Sequence, residues 1–431
     1  MNSVTLKLIA TLALFAAVAA PFRLTAQVGQ KQVHYQLVDL GTLGGSQGNA
    51  YGGVTNRRWV TGDSNLPGDQ NEHAFLWRNG KMQDLGTLGG PNSSTASVIK
   101  NNAGFIMGIA QIAELDPRAE YWGSGFFCTT VNCQGFKYLD RGFLWKDGEM
   151  TALPTLGGNN SQAYGVNSRG QVVGLAEKAN AAIPACAPPQ LLEFQAVVWS
   201  PGEDEIQVLP PLPGDAIGAA LAINDSGQVV GGSGVCGVPF SNVLAHAVLW
   251  QDGKPIDLGN FGGVMNNYAD AINNRGQAVG ASDLPGDTVG HAFLWSEGVL
   301  TDLGTLAAPL NAISIANDIN EKGQIVGVSC DPSFNCHAVL WQNGAIVDLN
   351  SLTLPGTSLQ LVWGAGINDQ GEIAGTALDP NTGNTSAFLA IPNRKFSWVS
   401  LDAGVASGSP LPENVRKLLS QRAKRFPLGR N

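Results

Sequence analysis

Charged side chains are scarce in this chain. Asp, Glu, Lys and Arg make up 14% of its 431 residues, where an ordinary soluble domain has about 25%. The 25 basic residues are outnumbered by 34 acidic ones, giving a net charge of -9, which argues against the clustered basic surface of a nucleic-acid-binding protein. The five histidines and six cysteines match no zinc-site spacing. We therefore expect no nucleic-acid partner and no zinc.

Long apolar segments are also lacking, with one exception near the start. An apolar run covers residues 8–20 after Lys7, which is too short to span a bilayer comfortably, and Ala26 offers a small residue before Gln27. Residues 1–26 are predicted to be a secretory signal peptide, with an uncleaved anchor as the alternative. The mature chain then has no transmembrane span, and it is expected to be secreted, periplasmic or at the cell surface.

Glycine, by contrast, is abundant, and much of it belongs to a repeat. The clearest copy covers residues 269–306 and holds four short apolar runs, each bounded by turn residues. Each unit is therefore predicted to form four β-strands, and copies recur from near residue 35 to near residue 390.

Two tight turns recur in each unit. The first begins with Asn, and Gly follows three residues later in six of the copies, which favours a type I turn with a bulge; in the first copy Trp59 takes the Gly place. The leading residues are Asn56, Asn101, Asn167, Asn224, Asn273, Asn320 and Asn368. The second turn follows the strand Ala-Phe/Val-Leu-Trp and has the form Trp-x-x-Gly. Its tryptophans are Trp77, Trp145, Trp199, Trp250, Trp295 and Trp341.

The period of the repeat predicts the fold. Successive tryptophans are about 45 to 70 residues apart, and four antiparallel strands at such a period are typical of a β-propeller blade. We expect an all-β fold, a seven-bladed propeller over residues 27–401, closed by pairing of its N- and C-terminal strands. If each blade begins at the Ala-Phe-Leu-Trp strand, the closing blade takes one strand from the C-terminal end and three from the N-terminal end. Contiguous blades, or pairing by residues 396–401, remain alternatives.

The repeat motifs carry a family resemblance. His-Ala-Phe-Leu-Trp at residues 73–77 and 291–295, with Val for Phe after His246 and His337, and Asp-Leu-Gly-Thr-Leu-Gly-Gly at 39–45 and 84–90 resemble the extracellular HAF-repeat family. The resemblance covers about residues 35–390. It implies a secreted or cell-surface bacterial protein with a propeller-like fold, and no family-wide activity or catalytic residues. The Pro-Glu-Pro sorting tail of some members is not matched here.

Residues that repeat in every blade are poor catalytic candidates. Four histidines share one repeat position, and five aspartates precede the Leu of the fourth strand, so a structural role is expected, with each His bonding a neighbouring loop. These residues are His73, His246, His291 and His337, and Asp39, Asp84, Asp257, Asp302 and Asp348. His34 is the remaining histidine, which leaves no evident Ser-His-Asp set.

The alternating chain direction places both tight turns at one end of the propeller and all the longer loops at the other. Loops on a rigid scaffold carry recognition, so the loop-bearing end is the predicted binding face. Its longest insertion, residues 111–140, contains the aromatic ligand-binding candidates Tyr121, Trp122, Phe126, Phe127 and Tyr138. Their density suggests stacking on a sugar or packing on a partner, and the alternative is a lid with its own small core.

Two further groups of loop residues have predicted roles. Leu-Pro-Gly-Asp occurs three times, and a structural turn is favoured over calcium binding by Asp63, Asp69, Asp283 and Asp287. A secretory signal with an even cysteine count implies paired thiols. We predict three disulfides on the loop-bearing end, each within one loop or between corresponding loops. They are Cys128–Cys133, Cys186–Cys236 and Cys330–Cys336.

Residues 402–431 form a basic tail, expected to be helical from 413 to 425 or disordered, and solvated, loosely docked or serving as an anchor. For the whole chain we expect a non-enzymatic binding or scaffold propeller that recognises an extracellular glycan or protein and needs no cofactor. The alternatives are a glycan-active hydrolase or lyase and a structural surface-layer component.

Overall fold

Seven four-stranded antiparallel sheets form a ring, which confirms the predicted seven-bladed β-propeller. The structure is a computed structural model that describes residues 33–95, 97–118, 120, 138–181, 192–202, 205–236, 242–306, 313–393 and 410–423. The predicted signal peptide therefore lies outside the described residues. No helix in the described ranges is long and apolar enough to cross a membrane.

The strands follow one another in chain order through six blades. Blade 1 contains β2 (Gly48–Val54), β3 (Val60–Asn65), β4 (Glu72–Arg78) and β5 (Lys81–Asp84), and blade 2 contains β6 (Gly89–Ser94), β7 (Ile106–Leu115), β8 (Tyr138–Lys146) and β9 (Glu149–Ala152). Blade 3 contains β10 (Gly157–Val166), β11 (Val172–Ala181), β12 (Leu192–Trp199) and β13 (Gln207–Leu209), and blade 4 contains β14 (Ile217–Ile223), β15 (Val229–Cys236), β16 (Asn242–Gln251) and β17 (Lys254–Asp257). Blade 5 contains β18 (Asn267–Ile272), β19 (Ala278–Asp283), β20 (Gly290–Ser296) and β21 (Val299–Asp302), and blade 6 contains β22 (Ile313–Ile319), β23 (Ile325–Cys330), β24 (Cys336–Gln342) and β25 (Ala345–Asp348).

Blade 7 closes the ring with strands from both ends of the repeat region. It contains β26 (Gln360–Ile367), β27 (Ile373–Leu378), β28 (Thr385–Asn393) and, as its outermost strand, β1 (His34–Gly41). β1 runs antiparallel to β28, with His34 opposite Asn393. The expected division of strands in this blade, one from the C-terminal end and three from the N-terminal end, was wrong. Three strands come from the C-terminal side and one from the N-terminal side. The competing segment 396–401 lies outside the described residues.

The composition of the strands explains which strand begins each blade and which one ends it. The strand that leads into the Asn turn packs around the propeller axis, where space is tight, and it is rich in Gly and Ala, as in β14 (IGAALAI) and β26 (QLVWGAGI). The Asp-Leu strand is short and largely exposed, as in β5 and β17. It therefore suits the outer edge of a blade and ends it.

A bulge in the inner strand explains the recurring glycine of the second strand. In blade 5, Asp270 is the extra residue between the pairs Ala269–Gly280 and Ala271–Val279, and a Cβ on Gly280 would collide with the carbonyl oxygen of Tyr268. The same kind of backbone collision occurs at each equivalent position, so a side chain is excluded there. These glycines are Gly62, Gly108, Gly174, Gly231, Gly280, Gly327 and Gly375.

The Ala-Phe-Leu-Trp strand is buried on both of its faces because each sheet is stacked between two others. In β4, Phe75 packs against Ala387 and Leu389 of blade 7, whereas Ala74 and Leu76 pack toward blade 2. All of these side chains are fully buried. This two-sided burial accounts for the absence of an apolar-polar alternation in the strand.

The tight turns of blades 3 to 7 have the predicted geometry, whereas that of blade 1 is shifted. In blade 3, the N–H of Gly170 donates to the carbonyl of Asn167, and the N–H of Asn167 donates to the carbonyl of Gln171. In blade 1 the corresponding bonds begin at Thr55, and Arg58 has a φ of 58°. The sequence analysis placed Asn56 at the Asn position of this turn and Trp59 at its Gly position. Both assignments were wrong by one residue, since Thr55 and Arg58 occupy these positions.

The two ends of the ring differ, as the alternating strand direction requires. We call the end with the Asn-x-x-Gly and Trp-x-x-Gly turns the turn face, and the end with loops such as 259–266 and 284–289 the loop face. A helix, α1 (Glu413–Ala423), covers the axis at the loop face. Its Val415 and Leu419 are buried together with Leu411, whose N–H donates to Asn335 Oδ1 over 2.9 Å. In the described residues the tail is thus docked, rather than solvated or loosely docked.

Candidate functional site

A ring of asparagine side chains joins the inner ends of the blades at the turn face. Asn273 Oδ1 accepts the N–H groups of Arg275 and Gln277 within its own turn, while its Nδ2 donates across to the carbonyl of Asn320 in the next blade. Five consecutive turns make this inter-blade bond at 3.0 to 3.3 Å. The donors are Asn167, Asn224, Asn273, Asn320 and Asn368, and the last acceptor is the carbonyl of Thr55.

The residue after each of these asparagines forms a second ring. Its side chain accepts the backbone N–H of the equivalent residue in the preceding blade, as Glu321 Oε1 does from Asn274 over 2.9 Å. The ring is acidic in part, with carboxylates from Asp225, Glu321 and Asp369. The acceptors are Asp225, Asn274, Glu321, Asp369 and Asn56, the last of which follows Thr55, and Ser168 begins the ring as a donor only.

The two rings surround a polar cavity of about 190 Å³ on the propeller axis. The cavity lies at the turn face, and side chains of both rings line it together with Lys100, Ile223 and Ile272. A smaller chamber of about 10 Å³ continues inward between blades 2 to 5 and shares those three residues. The described cavity on the axis is therefore at the end opposite to the predicted binding face.

Lys100 crosses the axis and is held by blades 6 and 7. Its Nζ lies 2.6 Å from Asp318 Oδ1 and donates to the carbonyls of Ile319 at 2.6 Å and Ile367 at 3.4 Å. Burial raises the pKa of Asp318, although Lys100 and the N–H groups of Ile367 and Ile319 oppose that rise. The ammonium therefore neutralises a carboxylate that water does not reach.

Asp270 lines the inner chamber from blade 5, which adjoins the blade that carries Asp318. Burial alone raises the pKa of its carboxyl well above the ordinary value. No described residue forms a hydrogen bond or an ion pair with it, unlike Asp318 one blade further on. Asp270 is thus an acid in the axial cavity without a counter-charge.

The repeated histidines bond carboxylates, but only His246 bonds a loop, as was predicted for all four; the other three bond the outer strand of their own blade. His73, His291 and His337 each place Nδ1 2.9 Å from a carboxylate oxygen of the aspartate in the outer strand of the same blade. These partners are Asp84, Asp302 and Asp348. His246 differs, because its Nδ1 lies 2.9 Å from Asp215 of a Leu-Pro-Gly-Asp loop and not from Asp257. The hydrogen bond that His337 donates to Asp348 raises the pKa of His337.

The strand-ending tryptophans link neighbouring blades. Trp199, Trp250 and Trp341 donate from Nε1 to a carbonyl just beyond the outer strand of the preceding blade, at 2.7 to 3.0 Å. The other members, Trp77, Trp145 and Trp295, pack in the hydrophobic clusters between blades. Trp in this position therefore serves the packing of the ring.

The calcium candidates bond with neighbouring protein donors. Asp69 Oδ1 accepts the N–H of Ser46 at 2.7 Å, and Asp287 Oδ1 accepts that of Val264 at 2.7 Å, so the Leu-Pro-Gly-Asp loops hold the loop that enters the blade. Burial opposes the charge of Asp69, but the hydrogen bonds from Ser46 and Asn65 outweigh it and lower the pKa of Asp69. Asp63 accepts from Asn49 and Ser94, and Asp283 accepts from Asn266. No grouping of three or more potential metal ligands occurs among the described residues.

The long insertion of blade 2 is described only in part. Tyr121, Trp122, Phe126 and Phe127 lie outside the described residues, whereas Tyr138 begins β8, half-buried, opposite Leu115.

Beside that insertion, a buried polar network joins blades 2 and 3. Asp140 is fully buried, with Gln162 Nε2 and Gln111 Nε2 at 3.3 and 3.5 Å from its carboxylate oxygens. Burial raises its pKa to about 7, although these two donors oppose the rise.

Only part of the predicted disulfide set can be located. Cys330 and Cys336 form a disulfide at the loop face, where it packs in the same cluster as Val415 and Leu419 of α1. Cys128, Cys133 and Cys186 lie outside the described residues, as does the side chain of Cys236. The other two pairings therefore remain predictions.

Comparisons with known proteins concern the fold. No family model and no curated protein matches the chain. It is similar to the acylaminoacyl peptidase of Pyrococcus horikoshii, with a TM-score of 0.44 and 8% identity over 80% of this chain and 49% of that one. A puromycin-hydrolysing peptidase of Mycobacterium tuberculosis gives 0.47 and 11%, over 83% and 56%. The lectin of Aleuria aurantia gives 0.29 and 7%, over 84% and 99%. The chain spans about half the length of the two peptidases.

Sequence reasoning missed the residues at the axis. Lys100, Asp270 and Asp318 each stand in or beside an apolar run that reads as an inner strand, and nothing in the spacing shows which of them face one another. The available signal was a charge at a position that other repeats fill mostly with apolar residues or Gly. For Asp270, the equivalent bulge residues are Leu221 in blade 4 and Ala365 in blade 7.

Proposed function

We propose that this chain is a non-enzymatic binding propeller, secreted or at the cell surface, that recognises an extracellular glycan or protein through its loop face. The resemblance to HAF repeats and the predicted signal peptide support the location. Exposed apolar side chains at the loop face support recognition there. Leu115 and Val264 are each 63% exposed, and Val235 is 44% exposed. Loops on a rigid scaffold carry recognition, and exposed apolar groups at that end are available for contact with a partner.

The repeated polar residues already bond other groups of the protein, and this supports a role without catalysis. The histidines, their aspartate partners and the Leu-Pro-Gly-Asp carboxylates are used to brace blades and loops. Asp140 has the raised pKa that a general acid of a glycan-active hydrolase would need. However, it is fully buried behind Gln111 and Gln162, so no substrate oxygen could reach it in this arrangement.

The proposal can be tested with a glycan array and parallel hydrolase and lyase assays on the purified chain. We expect binding without turnover. Val264→Asp should weaken that binding about tenfold, since losing an apolar contact and introducing a charge costs at least about 1.4 kcal/mol. Val299→Asp is the matched control, because Val299 is equally exposed, at 63%, but lies at the turn face.

Each result has a distinct meaning. Turnover of any glycan contradicts the binding proposal and favours the enzyme. Equal loss in Val264→Asp and Val299→Asp contradicts the choice of the loop face. The absence of any glycan binding leaves a protein partner or a structural surface-layer role, which a second array of extracellular matrix proteins distinguishes.

A further inference from the structure

The contacts of Lys100 show that the inner surface of this propeller can bind an ammonium group. One primary ammonium group sits against the carbonyls of Ile319 and Ile367, the last residues of two inner strands, with Asp318 as its counter-ion. Carbonyl oxygens and one carboxylate satisfy the three donors of an ammonium group. The axis of this protein therefore already holds one internal alkylammonium.

The inner chamber has similar groups contributed by other blades, and although Lys100 also reaches it, the Lys100 ammonium is paired with Asp318. Val166, Ile223 and Ile272 occupy the same repeat position as Ile319 and Ile367, and all three line the inner chamber. Asp270 is the acid of that chamber, one repeat position before that of Asp318 and in the adjacent blade. The chamber volume of about 10 Å³ suits one group of the size of a water molecule, which is also the size of an ammonium group.

The approach to the chamber favours a positive charge. The outer cavity leads to it from the turn face, and its rim carries the carboxylates of Asp225, Glu321 and Asp369. Lys100 is the one cation among the residues that line the cavity, and it is already paired with Asp318. A cavity lined by charge of one sign concentrates ligands of the opposite sign.

We propose that the axial cavity binds a primary alkylammonium ligand, whose ammonium group is seated on Asp270 in the inner chamber and whose chain lies in the outer cavity at the turn face. The ligand class is a small, unbranched amine, such as the side chain of a lysine or one end of a polyamine. This site is at the end opposite to the proposed loop-face partner site, so either can exist without the other.

The test uses n-butylamine as the probe and isothermal titration of the full chain, at fixed ionic strength. Asp270→Asn should weaken amine binding at least tenfold. The variant should fold, because Asn317 stands at the same bulge position in blade 6, where its Nδ2 donates to the carbonyl of Gly364. Asp302→Asn removes a carboxylate from an outer strand and should leave amine binding unchanged.

A second variant keeps the carboxylate but fills the chamber. Ala222→Leu places a larger side chain beside Asp270 and should also abolish amine binding, as judged by titration after thermal melting has shown that the variant is folded. n-Butanol should not bind. Equal binding of n-butanol, undiminished amine binding by Asp270→Asn, or displacement of the amine by potassium chloride at equal concentration would each overturn the proposal, the last in favour of a metal cation.

Discussion

Substitution of Asn273 separates two roles that its side chain combines. The side chain is buried and makes four hydrogen bonds, two to backbone N–H groups of its own turn, one to Gln277 Oε1 and one to the carbonyl of Asn320 in the next blade. Each such bond has a net value of about 0.5 to 1.5 kcal/mol, and a buried acceptor left without a donor costs more. Asn273→Ala should therefore lower the free energy of unfolding by about 3 kcal/mol.

Blade 1 supplies the matched variant, because Thr55 occupies this position there. Its Oγ1 accepts the N–H groups of Arg57 and Trp59 and so keeps the two bonds within the turn, but it has no amide to reach the next blade. Asn273→Thr should accordingly cost only about 1 to 1.5 kcal/mol, which is the loss of the inter-blade and Gln277 bonds alone.

Guanidinium unfolding followed by tryptophan fluorescence measures both changes as shifts of the midpoint at constant slope. If both variants lose less than about 0.5 kcal/mol, the asparagine ring adds nothing to stability, since that is the ordinary effect of a surface change. If Ala and Thr cost the same amount, the turn bonds contribute nothing and only the bond between blades is significant.

Two further predictions concern the loop face. Replacing both Cys330 and Cys336 by Ala should cost about 2 kcal/mol or less, because so short a loop constrains the unfolded chain little, yet it should speed amide exchange in α1, which packs on the disulfide; unchanged exchange would contradict this packing role. The folded chain keeps the Asp140 proton up to its raised pKa of about 7, while the unfolded chain releases it near 3.8. The wild type should therefore lose stability as the pH rises between these two values, and Asp140→Asn should abolish that loss. Unfolding free energies measured from pH 3.5 to 8 for both proteins check this, and parallel curves would refute it.

The sequence was sufficient for the fold because the repeat encodes one structural unit several times. Turn residues, the glycine after the second strand and the apolar third strand recur at fixed offsets, so an error in one copy is corrected by the others. The error at Thr55 arose in blade 1, where the recurring turn residues are missing because Thr55 and Arg58 replace the usual Asn and Gly. The repeat length alone could not show which strand begins a blade, since any starting strand gives the same repeat length. The starting strand depended on which strand is small enough for the axis.

The axial site could not be predicted for a different reason. Lys100 belongs to blade 2, whereas its partners Asp318 and Ile367 belong to blades 6 and 7, and only the closed ring brings them together. The docking of α1 is similar, since Val415 and Leu419 read as one side of a short helix without indicating what covers them. Contacts across the axis follow from the whole ring, and no single repeat contains them.

The strand that completes blade 7 comes from the opposite end of the repeat region, and this affects how the chain is made. Blades 1 to 6 consist of consecutive strands, so each can assemble as soon as its own segment has left the ribosome. β1 is synthesised first and has no partner until β28 appears. An unpaired edge strand is a template for pairing with other chains. A truncated translation product therefore keeps a self-associating edge, and pairing of β1 with β28 distinguishes the complete chain from it.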